Sequence, residues 1–296
     1  MEYHGPNQRL EELDARNTSY RFDLDSGPCW ARIDEPGLHV SPALLEAFGV
    51  DVARLGEHLA TFDWIYAATV CRSFVALEES IVEFARREHG RLAPSKSLEA
   101  LVEEEEKHIL MFKRYEQLLL ERHDAAMFER AYMPMGDRMA KRHRYALLEI
   151  PDDTDRHYLL WINTIFFEEF TVYLDQRLQL DKARIQPLWL SIHRLHRIEE
   201  MQHLATDEAY LDGLGIDAAR KRELSVGFVM GMLQNFEDTV AVAPALSTAR
   251  AAGLERIRRG RVSDTEFVQA ILTGSAFKRT RAAVPYLREL ASGSGH

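Results

Sequence analysis

Residues 193–203 read HRLHRIEEMQH, three histidines and two glutamates within eleven positions. The surrounding sequence, from PLWLSI through LATDEAYLDGL, reads as one helix. At about 100° per residue, His196, Glu200 and His203 fall within about 60° of one another, with His193 and Asp207 beside them. Trp189 and Ile192 share that sector at one end, and Tyr210, Leu211 and Leu214 at the other. The polar cluster therefore interrupts a core-facing stripe. An ionised carboxylate turned toward a core needs a cation or hydrogen bonds to offset its lost hydration. Imidazole nitrogens beside carboxylate oxygens are a donor set suited to non-haem iron, although ligand type alone does not select iron over manganese.

A second such cluster lies in VEEEEKHILMF, residues 102–112. Four consecutive glutamates look like a solvated run, and the helical wheel separates them. Leu98, Leu101, Val102, Phe112, Tyr115 and Leu119 define the apolar face, with Glu105 near its centre and His108 on the same face. Glu103 and Glu106 point away and Glu104 sits at the margin. Glu-x-x-His thus occurs twice, as Glu105/His108 and Glu200/His203, each time at the centre of an apolar face and each time preceded by a second glutamate. Glu104 and Glu199 are either surface residues or acceptors that orient a ligating imidazole.

Two further carboxylates complete the pattern. In VCRSFVALEESIVEFA, Glu78 shares a face with Phe74, Ile81 and Ala85, whereas Glu79 points outward. WINTIFFEEFTVYLDQRL is apolar almost all round, so phase separates Glu168 from Glu169 poorly; Glu168 is preferred because it shares a sector with Trp161, Thr171 and Asp175. His58, His89, His123 and His143 lie on mixed or polar stretches and carry no such pattern. Phe74, Phe112, Phe166, Phe167 and Met201 are either simple core or the wall of an apolar pocket.

These residues need four long helices to hold them. Periodicity places helices at roughly 56–89, 98–123 with Ser97 as cap, 155–180, and from Pro187 onward. A short helix follows the Ser-Pro start at 41–50, residues 124–154 form a less regular connection, and 217–291 hold two or three more helices. Residues 1–40 show no lasting period and are expected to form an irregular arm, and 292–296 a flexible tail. Strand signals are nearly absent, so the chain is expected to be all-α: one helical domain over 41–291 with its bundle core at about 56–212. Hairpin, long connection, hairpin is the order of a ferritin-like four-helix bundle. Glu78 and Glu105 lie at comparable distances from the turn at 90–97, as do Glu168 and Glu200 from the turn at 181–187, so antiparallel packing brings all four level.

Composition narrows the partners. A net charge of −10 argues against nucleic acid or an anionic membrane surface. ERIRRGR at 255–261 is the one basic cluster and reads as a solvated helix end. The two cysteines form no disulfide framework, and no apolar run is long enough to span a bilayer. The expected location is the cytoplasm.

The order Glu78, Glu105-x-x-His108, Glu168, His196-x3-Glu200-x2-His203 resembles that of the p-aminobenzoate N-oxygenase-like diiron oxygenases over roughly residues 56–212. The resemblance implies two iron ions held by those seven side chains, His196 being the seventh ligand. It further implies O2 as co-substrate and a small-molecule substrate, typically an amine oxidised at nitrogen. The HxxEExxH helix and EEFT at 168–171 are also similar to ferritin-like proteins labelled predicted metal-dependent hydrolases. Iron storage or ferroxidase activity needs a similar centre without an organic pocket. A purely helical interaction protein would need no metal at all. No NAD or flavin motif is present, so electrons are expected from a separate reductase, and the chain is expected to act as a homodimer.

The helical phase makes a direct prediction. Glu105→Ala or Glu200→Ala abolishes metal uptake, whereas Glu103→Ala or Glu106→Ala leaves it near the wild-type level by elemental analysis. Equal loss in all four variants would contradict the phase.

Overall fold

A computed structural model describes residues 8–16, 21–88, 95–134, 150–234, 242–254 and 266–292. In chain order the helices are α1 (Gln8–Arg16), α2 (Pro42–Ala47), α3 (Leu59–Glu88), α4 (Lys96–Leu120) and α5 (125–134). They continue as α6 (Asp153–Leu180), α7 (Pro187–Gly213), α8 (Ala218–Gln234), α9 (Val242–Ala251), α10 (Glu266–Thr273), α11 (Lys278–Ala283) and α12 (Pro285–Ala291). No strand occurs among the described residues; one isolated bridge joins Leu38 to Ile185. The protein is all-α, with the helix order of a ferritin-like bundle. None of the described helices is long and apolar enough to cross a membrane.

α3 packs along α4 and α6 along α7, while α4 also faces α7. Helices α4, α6 and α7 each begin at a polar side chain that satisfies free amide groups, as helix starts require. The Ser95 hydroxyl accepts from Ser97 N and Leu98 N at α4, Asp152 accepts from Thr154 N and Asp155 N at α6, and Gln186 accepts from Trp189 N at α7. The cap of α4 is therefore Ser95 rather than the expected Ser97. Asp14 of α1 explains the shift: its carboxylate takes the Ser97 amide at 2.8 Å and the Ser97 hydroxyl at 2.7 Å, which draws Ser97 into the helix.

Three other expectations change. The arm contains a helix, α1, whose Leu10 is buried and whose Arg9 pairs with Glu208 and Asp212 of α7. The connection after α4 includes helical residues 125–134, which bury Phe128. The region after 217 holds five helices among the described residues rather than two or three, because short helices there close over α6 with aromatic side chains: Phe166 meets Phe277 at 5.6 Å and Phe170 meets Phe267 at 5.6 Å. The basic cluster at 255–261, His89, His143 and the tail beyond 292 lie outside the described residues.

The arm is also tied to the centre of the molecule. Leu38 N donates to Arg184 O and Gln186 N donates to Leu38 O, both at 2.8 Å. Gly37 lets the two backbones meet, since a Cβ there would lie 2.4 Å from Gln186 N and 2.5 Å from Gln186 Cα. Gly37→Ala must push the arm off the start of α7, at a cost of about 1–3 kcal/mol. Calorimetry should find a lower melting temperature, and an unchanged one would mean that the arm is not held by this contact.

Candidate metal centre

Both Glu-x-x-His pairs sit where α4 and α7 face each other. The structure gathers the seven named side chains into two groups that share Glu200: Glu78, His108, His196 and Glu200, then Glu105, Glu168, Glu200 and His203. Within each group one donor atom per residue lies within 4.8 Å of the others, and every member is buried. Glu200 turns Oε1 toward His196 and His108 (3.6 Å to His108 Nδ1) and Oε2 toward His203 Nδ1 at 3.0 Å. Glu105 spans the same gap, 3.4 Å from His203 Nδ1 and 3.8 Å from His108 Nδ1. His196 Nε2 lies 3.2 Å from Glu78 Oε1, and Glu168 Oε1 lies 3.6 Å from His203 Nδ1.

Helix α6 decides between its two glutamates. Glu168 joins the second group, whereas Glu169 turns the other way and accepts from Arg279 N and Thr280 N, both at 2.8 Å. The sequence favoured Glu168 only weakly because α6 is buried on both sides: Glu168 against the bundle, Glu169 against α11.

The doubled glutamates cross over. His108 Nε2 on α4 contacts Glu199 of α7 at 2.8 Å, and His203 Nε2 on α7 contacts Glu104 of α4 at 2.9 Å. A carboxylate only accepts, so each Nε2 carries a proton, and Nδ1 is the nitrogen that would face a metal ion. Glu104 and Glu199 are thus buried acceptors. They are held in turn from outside: Arg21 pairs with Glu104 at 3.0 Å, while Lys107 Nζ and the Phe22 amide donate to Glu199. Glu103 and Glu106 stay at the surface, paired with Arg21 and Arg86.

Electrostatics shows how ill-suited the cluster is to standing alone. Burial drives the Glu78 carboxyl up to about 7 against the pull of His196. Burial, with the Glu200 charge added, lifts Glu168 well above the carboxylate range. Burial opposes a charge on His196, yet Glu200 and Glu78 overcome it and raise the imidazole to about 10. Without a cation the site balances its charge only by sharing protons. Both oxygens of Glu78 and of Glu168, Glu105 Oε2, His108 Nδ1 and both His196 nitrogens lack hydrogen-bond partners among the described residues. Orphaned buried donors of this kind fit a metal: two divalent ions would balance four carboxylates, with three neutral imidazoles completing the set.

Of the five side chains read as core or pocket wall, two touch the cluster. Phe74 and Phe112 stack at 4.8 Å and meet His196 at 5.0 and 5.1 Å. Phe166 and Phe167 pack against each other, and Phe166 also against Phe277 on the far side of α6. Met201 is 43% exposed, because the phase that buries Glu200 turns its neighbour outward. His193 is buried with neither nitrogen partnered among the described residues, and burial lowers its pKa to about 3. One buried group near the site was absent from the sequence reading, namely His39 bonded to Asp63 and Tyr115. His39 lies in a stretch without periodicity, and no spacing could have flagged it.

Residues 81–276 match the family described as P-aminobenzoate N-oxygenase AurF. This is more than half of the chain, and the chain belongs to that family, a family of diiron oxygenases. None of the curated proteins and none of the solved structures matches it. Six of the seven gathered side chains fall inside the match, and Glu78 lies three residues before it. The match takes in helices beyond 217, past the 56–212 span of the resemblance.

Glu104→Ala and Glu199→Ala each free one imidazole to rotate. Each should weaken metal binding by about 10- to 100-fold, the usual effect of losing a carboxylate behind a ligating histidine. Competition with a chelator measures this, and wild-type affinity in both variants would deny the crossed carboxylates their orienting role.

Proposed function

We propose that the chain is a non-haem diiron oxygenase that uses O2 to oxidise a small organic substrate, an amine at its nitrogen. The sharing of Glu200 between two groups of orphaned buried donors, in a chain of this family, carries the reading. Glu78, His108 and His196 would hold one iron and Glu168 and His203 the other, with Glu105 and Glu200 between them. Bound there, the irons supply the electron transfers to O2 that no side chain can perform.

The chain's own part is to hold and to exclude. Glu199 and Glu104 fix the rings of His108 and His203, so donor positions do not drift between metal states. Phe74 and Phe112 cover His196 with apolar surface and keep water from that side. His196 adds a neutral donor without adding negative charge, which leaves the balance of four carboxylates against two divalent ions intact. Electrons come from a separate reductase, the working form is a homodimer, and the free thiols Cys29 and Cys71 suit a reducing cytoplasm.

Reconstitution with Fe(II) should load two irons per chain, and O2 with an arylamine should then yield an N-oxygenated product detectable by mass spectrometry. Fewer than about one transition metal per two chains would rule out a two-metal site. His196→Ala should keep the fold and most of the iron, because six ligands remain, while changing the rate of amine oxidation. An unchanged rate would remove His196 from the ligand set.

A further inference from the structure

Beyond the metal-holding cluster, a file of buried rings runs out along the interface of α4 and α7. From His196 it passes through Phe112 at 5.1 Å to His193 at 6.0 Å, then to Trp189 at 4.3 Å and Tyr115 at 4.9 Å. Phe74 provides a parallel step, 5.0 Å from His196 and 6.0 Å from His193. The rings come from two interleaved stripes, Phe112 and Tyr115 on α4 with Trp189, His193 and His196 on α7. All are buried. Ring contact of this kind is good core packing. The far end of the file, however, has chemistry that packing does not require.

There the Tyr115 hydroxyl lies 2.8 Å from His39 Nε2, and His39 Nδ1 lies 2.7 Å from Asp63 Oδ2. Asp63 Oδ1 accepts from His39 N at 2.7 Å and from Val40 N at 2.9 Å, so the carboxylate is anchored as an acceptor. Because a carboxylate cannot donate, His39 Nδ1 carries a proton; in that tautomer of the neutral ring Nε2 accepts, and the phenol O–H donates to it. Trp189 Nε1 donates to His39 O at 2.7 Å, which locks Trp189 to the same residue. Burial holds the Tyr115 phenol far from ionisation at ordinary pH. Loss of an electron from the ring makes the phenol strongly acidic, and His39 Nε2 is in place to take its proton.

We propose that Tyr115 is a one-electron donor to the metal centre, working through Trp189 and the ring file, with His39 as the acceptor of its phenolic proton. The proposal rests on the diiron reading given above. In the step, the Tyr115 O–H bond breaks and a His39 Nε2–H bond forms. Tyr115 is oxidised by one electron to a neutral tyrosyl radical, and the O2-oxidised metal site is reduced by one. The imidazolium left on His39 is paired with Asp63. A one-electron reductant of the reductase class returns the electron, and His39 returns the proton to the phenolate oxygen. Such a donor drains an oxidised centre that has met no substrate, and it gives an external electron a path inward. Proton transfer over a 2.8 Å hydrogen bond lies within the reach needed for general-base action.

The test has two arms. In the metal-free chain, flash-generated ruthenium(III) tris-bipyridine serves as the oxidant, and electron paramagnetic resonance reads the radical. A hydrogen-bonded tyrosyl signal should appear in wild type and vanish in Tyr115→Phe, which keeps the ring and its packing. His39→Gln should slow its formation by about tenfold. If His39→Gln fails to fold, Tyr115→Phe carries the arm alone, checked by its melting temperature. In the second arm the iron-loaded chain meets O2 without substrate; the same signal should appear, and Trp189→Phe should lower its yield. A signal that persists unaltered in Tyr115→Phe overturns the proposal. Iron bound with no Tyr115 radical, while the ruthenium arm yields one, overturns the relay and leaves the diiron reading standing. Failure to bind iron counts instead against the metal centre.

Discussion

Four carboxylates at one depth inside an apolar bundle are the constraint on which the rest of the structure depends. Each loses its hydration on burial, a penalty of several kcal/mol per ion unless something offsets it. Glu78, Glu105, Glu168 and Glu200 accept that penalty together, within reach of one another and of His108, His196 and His203. Burial displaces the Glu78 carboxyl upward, and Glu200 with Glu78 displaces the His196 imidazole upward. Two divalent cations held there would offset that penalty. Helix starts, crossed hydrogen bonds and the docked arm all hold those side chains level.

The crossed pairs, Glu104 to His203 and Glu199 to His108, make α4 and α7 each supply both a ligand-type ring and the acceptor that orients the other helix's ring. Sliding one helix along the other would break both bonds at once. The arm reinforces this from outside through Arg21 and Phe22, and α1 reinforces the start of α4 through Asp14. On the opposite flank Glu169 spends a buried charge on the first amides of α11, which ties the C-terminal helices to the bundle. The side chains that brace the bundle around the site therefore come from the N-terminal arm as well as from helices on both flanks.

The family match covers the doubled Glu-x-x-His motif and helices α8 to α10 but does not reach Glu78, Asp63 and His39. The centre as a class is thus carried by the matched part. The Asp63–His39–Tyr115 group joins two unmatched positions to one matched position on α4, and it lies at the end of the ring file away from the carboxylates.

Much of the bundle was legible residue by residue, because a helix expresses its buried face locally, every three or four positions. That periodicity located the long helices within a few residues, turned Glu105 inward and Glu103 and Glu106 outward, and brought four carboxylates level from turn distances alone. Where local phase carries no information, the sequence was silent. α6 is buried nearly all round, so phase favoured Glu168 only weakly, and the packing of α11 is what draws Glu169 to the other side. α1 and the four helices after α8 are short, and short helices owe their existence to what they pack on. His39 finds Asp63 across 24 residues and Tyr115 across 76, in a segment with no period of its own. Hydrogen bonds of that span exist only once the chain has been brought together. The tertiary structure alone decided them, because the partners of a buried polar group are set by which surfaces meet.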